Sequence, residues 1–327
     1  MSDAPSSEVQ SEYRALFKGA GVCDFGSRTL IEITGRDRAA LLHSLCTNDI
    51  KALAPGAACE AFLTNAQGRT TGYVYVYCQE DSLILDTAPG QAPSILGSLE
   101  RYIIREDVQL HDRSQSWSEL LLSGREAKTC LQRTLQVDRA PSLMSHLEAA
   151  FAGQPVQVRR VPFAGAASFF LTCSADLVIA LREVLKASGA TDCSGAALEI
   201  ARVEAGSPLY GVDLSEQNLP QEVDRNEQAI SFTKGCYLGQ ETVARLNALG
   251  HVNRVLRGLQ FHTETIPPAG AEIHDHGKVI AQITSAAWSV RLGTPLALAY
   301  VRHGHEQAGQ ILHSTHGEAE VVSLPLG

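Results

Sequence analysis

Lys234-Gly235-Cys236-Tyr237-Leu238-Gly239-Gln240-Glu241 sets a thiol between two glycines, two residues after a lysine. The apolar residues Tyr237, Leu238, Val243, Ala244 and Leu246 have helical spacing and predict a helix that begins at or just after Cys236. A thiol at a helix N-terminus and beside a cation loses its proton more readily, so Cys236 and Lys234 are the catalytic candidates. The glycines keep bulk away from the sulfur and admit a ligand or a partner backbone. A tight turn around a packed cysteine fits the same residues, and the run alone does not choose. Gln240 and Glu241 fall on the first helical turn, where the helix dipole favours an acid. Arg245 follows Glu241 by four residues, the spacing of an intrahelical ion pair.

Upstream, Ala196 to Ala205 reads as a helix stopped by Gly206-Ser207-Pro208. Glu204 lies near its C-terminal end, where the dipole disfavours a carboxylate, so it needs a specific partner. The guanidine-like edge of a heterocycle would suit, because a carboxylate accepts two parallel N–H bonds. A solvated surface acid is the bland alternative. The stretch from Tyr210 to Gln228 is polar, irregular and interrupted by Pro220. An irregular run of that length in a compact domain is usually functional or lines a cavity.

The first part of the chain alternates strand and helix signals. Leu30 to Ile33 predicts a strand, Asp37 an N-cap, and Leu41, Leu42 and Leu45 one helix face. Asn48 and Asp49 close that helix as stop and turn residues. Asn65-Ala66-Gln67-Gly68 between Ala61–Leu63 and Tyr73–Tyr77 signals a hairpin. A second β-α-β rhythm begins near Trp117, and short β-like runs follow Gly250. The predicted class is α+β: two related α+β units and a small antiparallel barrel or sandwich. The expected division is 1–116, 117–249 and 250–327, with the first two units free to exchange segments.

Of 327 residues, 44% are hydrophobic and 19% charged, which marks a globular chain long enough for two or three domains. A formal net charge of −9 argues against direct nucleic-acid binding, which needs a basic surface. The longest apolar run, Pro295 to Val301, is too short to cross a bilayer, and Met1 to Gln10 lacks a signal-peptide core. The cytoplasm is the expected location. Eight cysteines contain no CxxC pair, so no disulfide framework is expected, and the seven besides Cys236 read as small buried hydrophobes. Eleven histidines show no i, i+4 pair, and no resident metal site is predicted.

Together these stretches resemble one family. Lys234 to Glu241 looks like the signature of the YgfZ-type folate-binding iron–sulfur assembly factors, relatives of the aminomethyltransferase (T-protein) of the glycine cleavage system. Thr34 to Asp37 with Thr47 to Ile50, Val203 to Gly206 with Tyr210 to Asp213 and Pro220 to Glu222, and Gly293 to Ala299 carry the resemblance over nearly the whole chain. The resemblance implies a three-lobed T-protein-like fold around a central cavity for tetrahydrofolate or a derivative. It implies Glu204 near the pterin and Cys236 at the cavity or its mouth. Asn48, Asp49, Tyr210, Gln240, Glu241 and Arg245 complete the expected folate-binding set.

The implied role is assembly or repair of 4Fe–4S clusters, including those of radical enzymes that modify tRNA, with folate and iron–sulfur carrier or client proteins as partners. Cys236 would then be an essential thiol, a transient cluster ligand or a nucleophile, acidified by Lys234. The aminomethyltransferases carry a catalytic aspartate after a strand where this chain reads Ala88 to Pro93 without an acid, and Asp86 comes too early. Thr70 and Thr71 replace an acidic pair. The expectation is therefore an accessory factor, not a turnover enzyme. The alternative is a folate-dependent aminomethyltransferase or demethylase, a one-carbon transferase. A monomer is the expected state.

Overall fold

Strands that read as unbroken apolar runs, such as Leu120-Leu121-Leu122, are buried on both faces, and the architecture follows from that. The computed structural model describes residues 3–26, 28–165 and 167–326. The chain opens with α1 (Ser7–Lys18), β1 (Gly21–Asp24), β2 (Thr29–Thr34), α2 (Arg38–Leu45), β3 (Ala58–Thr64), β4 (Thr70–Cys78), β5 (Ser82–Thr87), α3 (Ala92–Glu100) and β6 (Gln109–Asp112). It continues through β7 (Trp117–Ser123), α4 (Ala127–Leu135), β8 (Ser145–Phe151), β9 (Gln154–Arg160), β10 (Ser168–Ser174), α5 (Val178–Ala187), β11 (Thr191–Asp192) and α6 (Gly195–Ala205). A linking segment holds a 3-10 turn (Pro220–Val223), α7 (Asn226–Ala229) and α8 (Gln240–Leu249). Last come β12 (Arg254–Phe261), β13 (Glu272–Asp275), β14 (Lys278–Ser289), β15 (Thr294–Arg302), β16 (Ile311–Ser314) and β17 (Gly317–Val322).

Three sheets result, in the orders β3-β4-β5-β2-β6, β11-β1-β7-β10-β9-β8 and β13-β14-β15-β12-β17-β16. The third is antiparallel throughout, and its edge strands β13 and β16 touch, so it forms a nearly closed barrel. The mixed α+β character and terminal barrel agree with the sequence reading. β1 pairs antiparallel with β7 and parallel with β11, so residues 21–24 lie in the second sheet.

Side-chain alternation builds the layers. On β4, Tyr73, Tyr75 and Tyr77 enter the core between the first two sheets, where Tyr75 meets Phe170 edge-on at 6.1 Å. Val74 and Val76 point the other way, under α2 and α3. On β10, Phe170 faces the central core while Phe169 and Leu171 pack under α4 and α5. α1 and α6 close the central core at one end through Tyr13, Leu16, Ile200 and Val203, against barrel residues Leu256 and Leu298.

A charged network lies inside this core. Asp86 on β5 meets Arg28 at 2.6 Å and Arg159 at 3.5 Å, and Glu119 on β7 meets Arg28 at 3.3 Å and Arg159 at 3.4 Å. Burial, and then the neighbouring Asp86, push Glu119 up to about 8.

Two local expectations change. Asp37 precedes α2 but makes no side-chain cap bond; its carboxylate accepts from the Asp107 amide at 2.9 Å. The helix expected to begin at or just after Cys236 starts at Gln240, with Gly239 before it at φ +81°. A left-handed residue cannot extend a helix backwards, so Cys236 lies in a loop, three residues before the N-cap.

Candidate functional site

A cavity of about 470 Å³ opens where α1, α6, the linking segment and the barrel meet. Its polar lining is Tyr13, Glu60, Glu204, Arg225, Gln228 and Arg291, and Leu16, Phe17 and Met144 supply apolar surface. The irregular run from Tyr210 to Gln228, expected to be functional or to line a cavity, supplies Arg225 and Gln228.

α6 presents Glu204. Ser194 caps this helix by accepting from the Ala197 amide, and Gly206 ends it at φ +69°. Glu204 is 4% exposed. One of its oxygens accepts from Ser289 Oγ at 2.6 Å and the Arg291 amide at 3.3 Å; the other accepts from the Tyr13 hydroxyl. Burial and the Glu204 carboxylate hold that phenol far above its ordinary range, so it stays a donor. Glu204 therefore has the specific partners its position demands, but they are protein groups. A carboxylate has about four acceptor sites, and three are taken, so the expected bidentate acceptance from a heterocycle edge gives way to one remaining site on the Tyr13 side.

Opposite stands a pair the sequence reading missed. Glu60 on β3 is 1% exposed, and Arg225 holds both of its oxygens, one through Nε at 2.9 Å. Tyr73 donates to the same carboxylate at 2.6 Å. Asn48 Nδ2 donates to Glu60 O at 2.8 Å and Gln228 O at 2.9 Å, so it braces the cavity backbone instead of lining the cavity. Asp49 faces His43 at 3.2 Å and caps the Ala52 amide at 3.1 Å. Tyr210 donates to Thr70 O at 3.3 Å, away from the cavity.

The octapeptide is anchored in alternation. Lys234, 8% exposed, donates to His43 O at 2.5 Å, Cys46 O at 2.8 Å and Asn48 O at 2.8 Å, and lies 4.9 Å from the Tyr237 ring centre. Its three donors are spent on carbonyls at the end of α2, so it does not serve the thiol as expected. Tyr237 is buried, Leu238 N–H donates to Ser44 O at 2.9 Å, and Thr64 Oγ1 donates to Leu238 O at 2.5 Å. Gly235 and Cys236, between these anchors, are exposed. Cys236 is not among the cavity-lining residues. Gln240 is half-buried; Glu241 and Arg245 are exposed, and no ion pair joins them. Among the described residues, no cluster of three or more His, Cys, Asp or Glu side chains is arranged to hold a metal ion.

Residues 88–93 present no carboxylate, and Asp86 is locked in the buried network. Residues 3–234 match the GCVT N-terminal domain, and residues 254–326 match the glycine cleavage T-protein C-terminal barrel domain. The chain belongs to the glycine cleavage T-protein family. The T-protein fold accounts for the two α+β units and the barrel. Aminomethyltransferase T of the glycine cleavage system from Bartonella henselae has a similar fold, with a TM-score of 0.86 at 21% identity over 97% of this chain and 89% of that one. The aminomethyltransferase of Nostoc sp. is 28% identical, covering 94% of this chain and 83% of its own length. A putative chloroplastic transferase of Arabidopsis thaliana is 26% identical over 88% of this chain and 66% of its own. Among the described residues of this T-protein relative, no helix is long and apolar enough to cross a membrane.

Proposed function

We propose that this T-protein relative binds tetrahydrofolate or a derivative in the Glu204 cavity and acts as an accessory factor in assembly or repair of 4Fe–4S clusters. Cys236 is its essential thiol. The residues present fit a reduced folate. The cavity is within the size range of small-ligand sites, Phe17 offers an apolar ring, and Glu204 and Tyr13 give polar contacts at one wall. A bound folate would supply a one-carbon carrier.

The observation that carries the reading is the pairing of a firmly anchored, outward-facing thiol with a cavity that lacks the acid of a methylene-transfer site. The cavity carboxylates do not replace that acid, because Glu60 is held by Arg225 and Tyr73, and Glu204 by Tyr13 and Ser289. A thiol presented to solvent suits exchange with a carrier or client protein, as a passing cluster or sulfur ligand. The protein works in the cytoplasm in this reading.

The relatives' names favour a second reading, an aminomethyltransferase or related folate-dependent one-carbon transferase. Incubation with tetrahydrofolate and an aminomethyl donor decides between them: steady formation of methylenetetrahydrofolate overturns the accessory role. Calorimetry tests the folate site, with at least tenfold weaker binding of 5-formyltetrahydrofolate expected for Glu204→Ala and no change for Cys236→Ala. In a deletion strain, full recovery of 4Fe–4S enzyme activity by Cys236→Ala would remove the thiol from the function.

A further inference from the structure

Two other thiols meet inside the protein. β1 and β11 pair in parallel, with Gly21 opposite Thr191 and Val22 opposite Asp192, and the Cys193 amide donates to Val22 O at 2.8 Å. One step further, the same register sets Cys23 beside Cys193. Lateral neighbours in a sheet stand about 4.8 Å apart, within the roughly 4.4–6.8 Å Cα separation of disulfides. Both side chains enter the central core. Gly21 makes room for that sulfur: a Cβ there would lie 2.9 Å from Cys193 Sγ.

We propose that Cys23 and Cys193 are an oxidisable dithiol that closes to a disulfide when hydrogen peroxide reaches it. One sulfur attacks the peroxide, breaks its O–O bond and becomes a sulfenic acid, releasing the first water. The second sulfur displaces the sulfenic oxygen as the second water. Two S–H bonds break and one S–S bond forms; the peroxide takes up both electrons and both protons.

α1 is the cover over this pair. Cys193 Sγ donates to Glu12 O at 3.4 Å, and the Glu12 carboxylate accepts from the Ser194 amide at 3.0 Å. Leu16 lies over Gly21. The neighbouring Cys193 side chain, and then burial, hold the Cys23 thiol far above its ordinary range, so the closed state is unreactive and oxidation waits for α1 to lift. The same helix gives Tyr13 to Glu204 and Phe17 to the cavity, so a cavity ligand that pins α1 shields the thiols. That last link rests on the proposed folate site.

The experiment uses the full chain with Cys236→Ser, which removes the exposed competing thiol. After hydrogen peroxide treatment, non-reducing peptide mapping should show a Cys23–Cys193 linked peptide, lost with either Cys23→Ser or Cys193→Ser. Ser6→Ala removes the α1 N-cap, whose hydroxyl accepts from the Val9 amide at 3.3 Å, and should speed linkage about fivefold, the effect of one lost cap. Free thiols or sulfinic acids without linkage after full peroxide exposure overturn the dithiol. A rate unmoved by Ser6→Ala overturns the α1 cover. Saturating 5-formyltetrahydrofolate should slow linkage. Calorimetric binding with an unchanged rate overturns the coupling, whereas failure to bind overturns the folate reading and leaves the linkage result standing.

Discussion

Replacing Lys234 with methionine keeps the apolar stem and deletes the ammonium. Three carbonyls, of His43, Cys46 and Asn48, then lose a charged donor at the end of α2. A hydrogen bond to a charged group contributes about 1.5–3 kcal/mol, and leaving a buried acceptor unpaired costs about 1–3 kcal/mol. Against this stands the cost of burying the ammonium, which holds Lys234 below the ordinary lysine range. The net expectation is a loss of about 3 kcal/mol, the low end for removing one member of a buried charged contact. At about 2–4 °C per kcal/mol, Tm falls by roughly 6–12 °C in scanning calorimetry.

A local reading sharpens the test. The Leu238 amide donates to Ser44 O across the same junction. Its hydrogen exchange should accelerate on the order of 100-fold, since each 1.4 kcal/mol is a factor of ten. A calorimetric loss below about 1 kcal/mol with unchanged Leu238 exchange would refute the anchoring role.

Gly239→Ala should destabilise the thiol loop by more than about 1 kcal/mol in urea titration, because the residue sits at φ +81° and a Cβ would lie 2.5 Å from Asn65 O. Arg225→Met leaves Glu60 charged and unpaired in the cavity wall; a loss of about 3–5 kcal/mol is expected, and Glu60→Gln in the same chain should recover part of it. Glu119 binds its proton more tightly folded than unfolded, since burial raises it to about 8. Its stabilising effect is therefore complete below the ordinary carboxylate range and lost as pH rises towards 8; Tm should decline over that window, and Glu119→Gln should flatten the decline.

Much of this molecule could be read locally. The Asn65–Gly68 hairpin, the α6 stop at Gly206 and the barrel runs each depend on neighbours within a few residues. The two-sided burial of the central strands also left its mark, as continuous apolar runs. The site was harder, because its partners are distant in sequence. Tyr13 reaches Glu204 across 191 residues, and Arg225 reaches Glu60 across 165. α1 shows little apolar signal of its own, since only Tyr13 and Leu16 are buried. Lys234 stands two residues from Cys236 along the chain, whereas the carbonyls it binds lie 186 to 191 residues away. The helix start was misplaced because Tyr237 and Leu238 pack as loop residues, and the left-handed Gly239 breaks the apparent period.

The contact of that glycine with the first hairpin bears on how the family can vary. Hairpin tips ordinarily accept added residues, because their backbone ends in water. Here the tip at Asn65 and Gly68 leaves no room for a side chain on Gly239, and a Cβ on Gly68 would lie 2.8 Å from that of Thr242. Lengthening the hairpin would displace the thiol-bearing loop, so chain length at this turn should be inherited together with the octapeptide. Grafting the octapeptide onto another member of the fold would mean moving both turns as one piece.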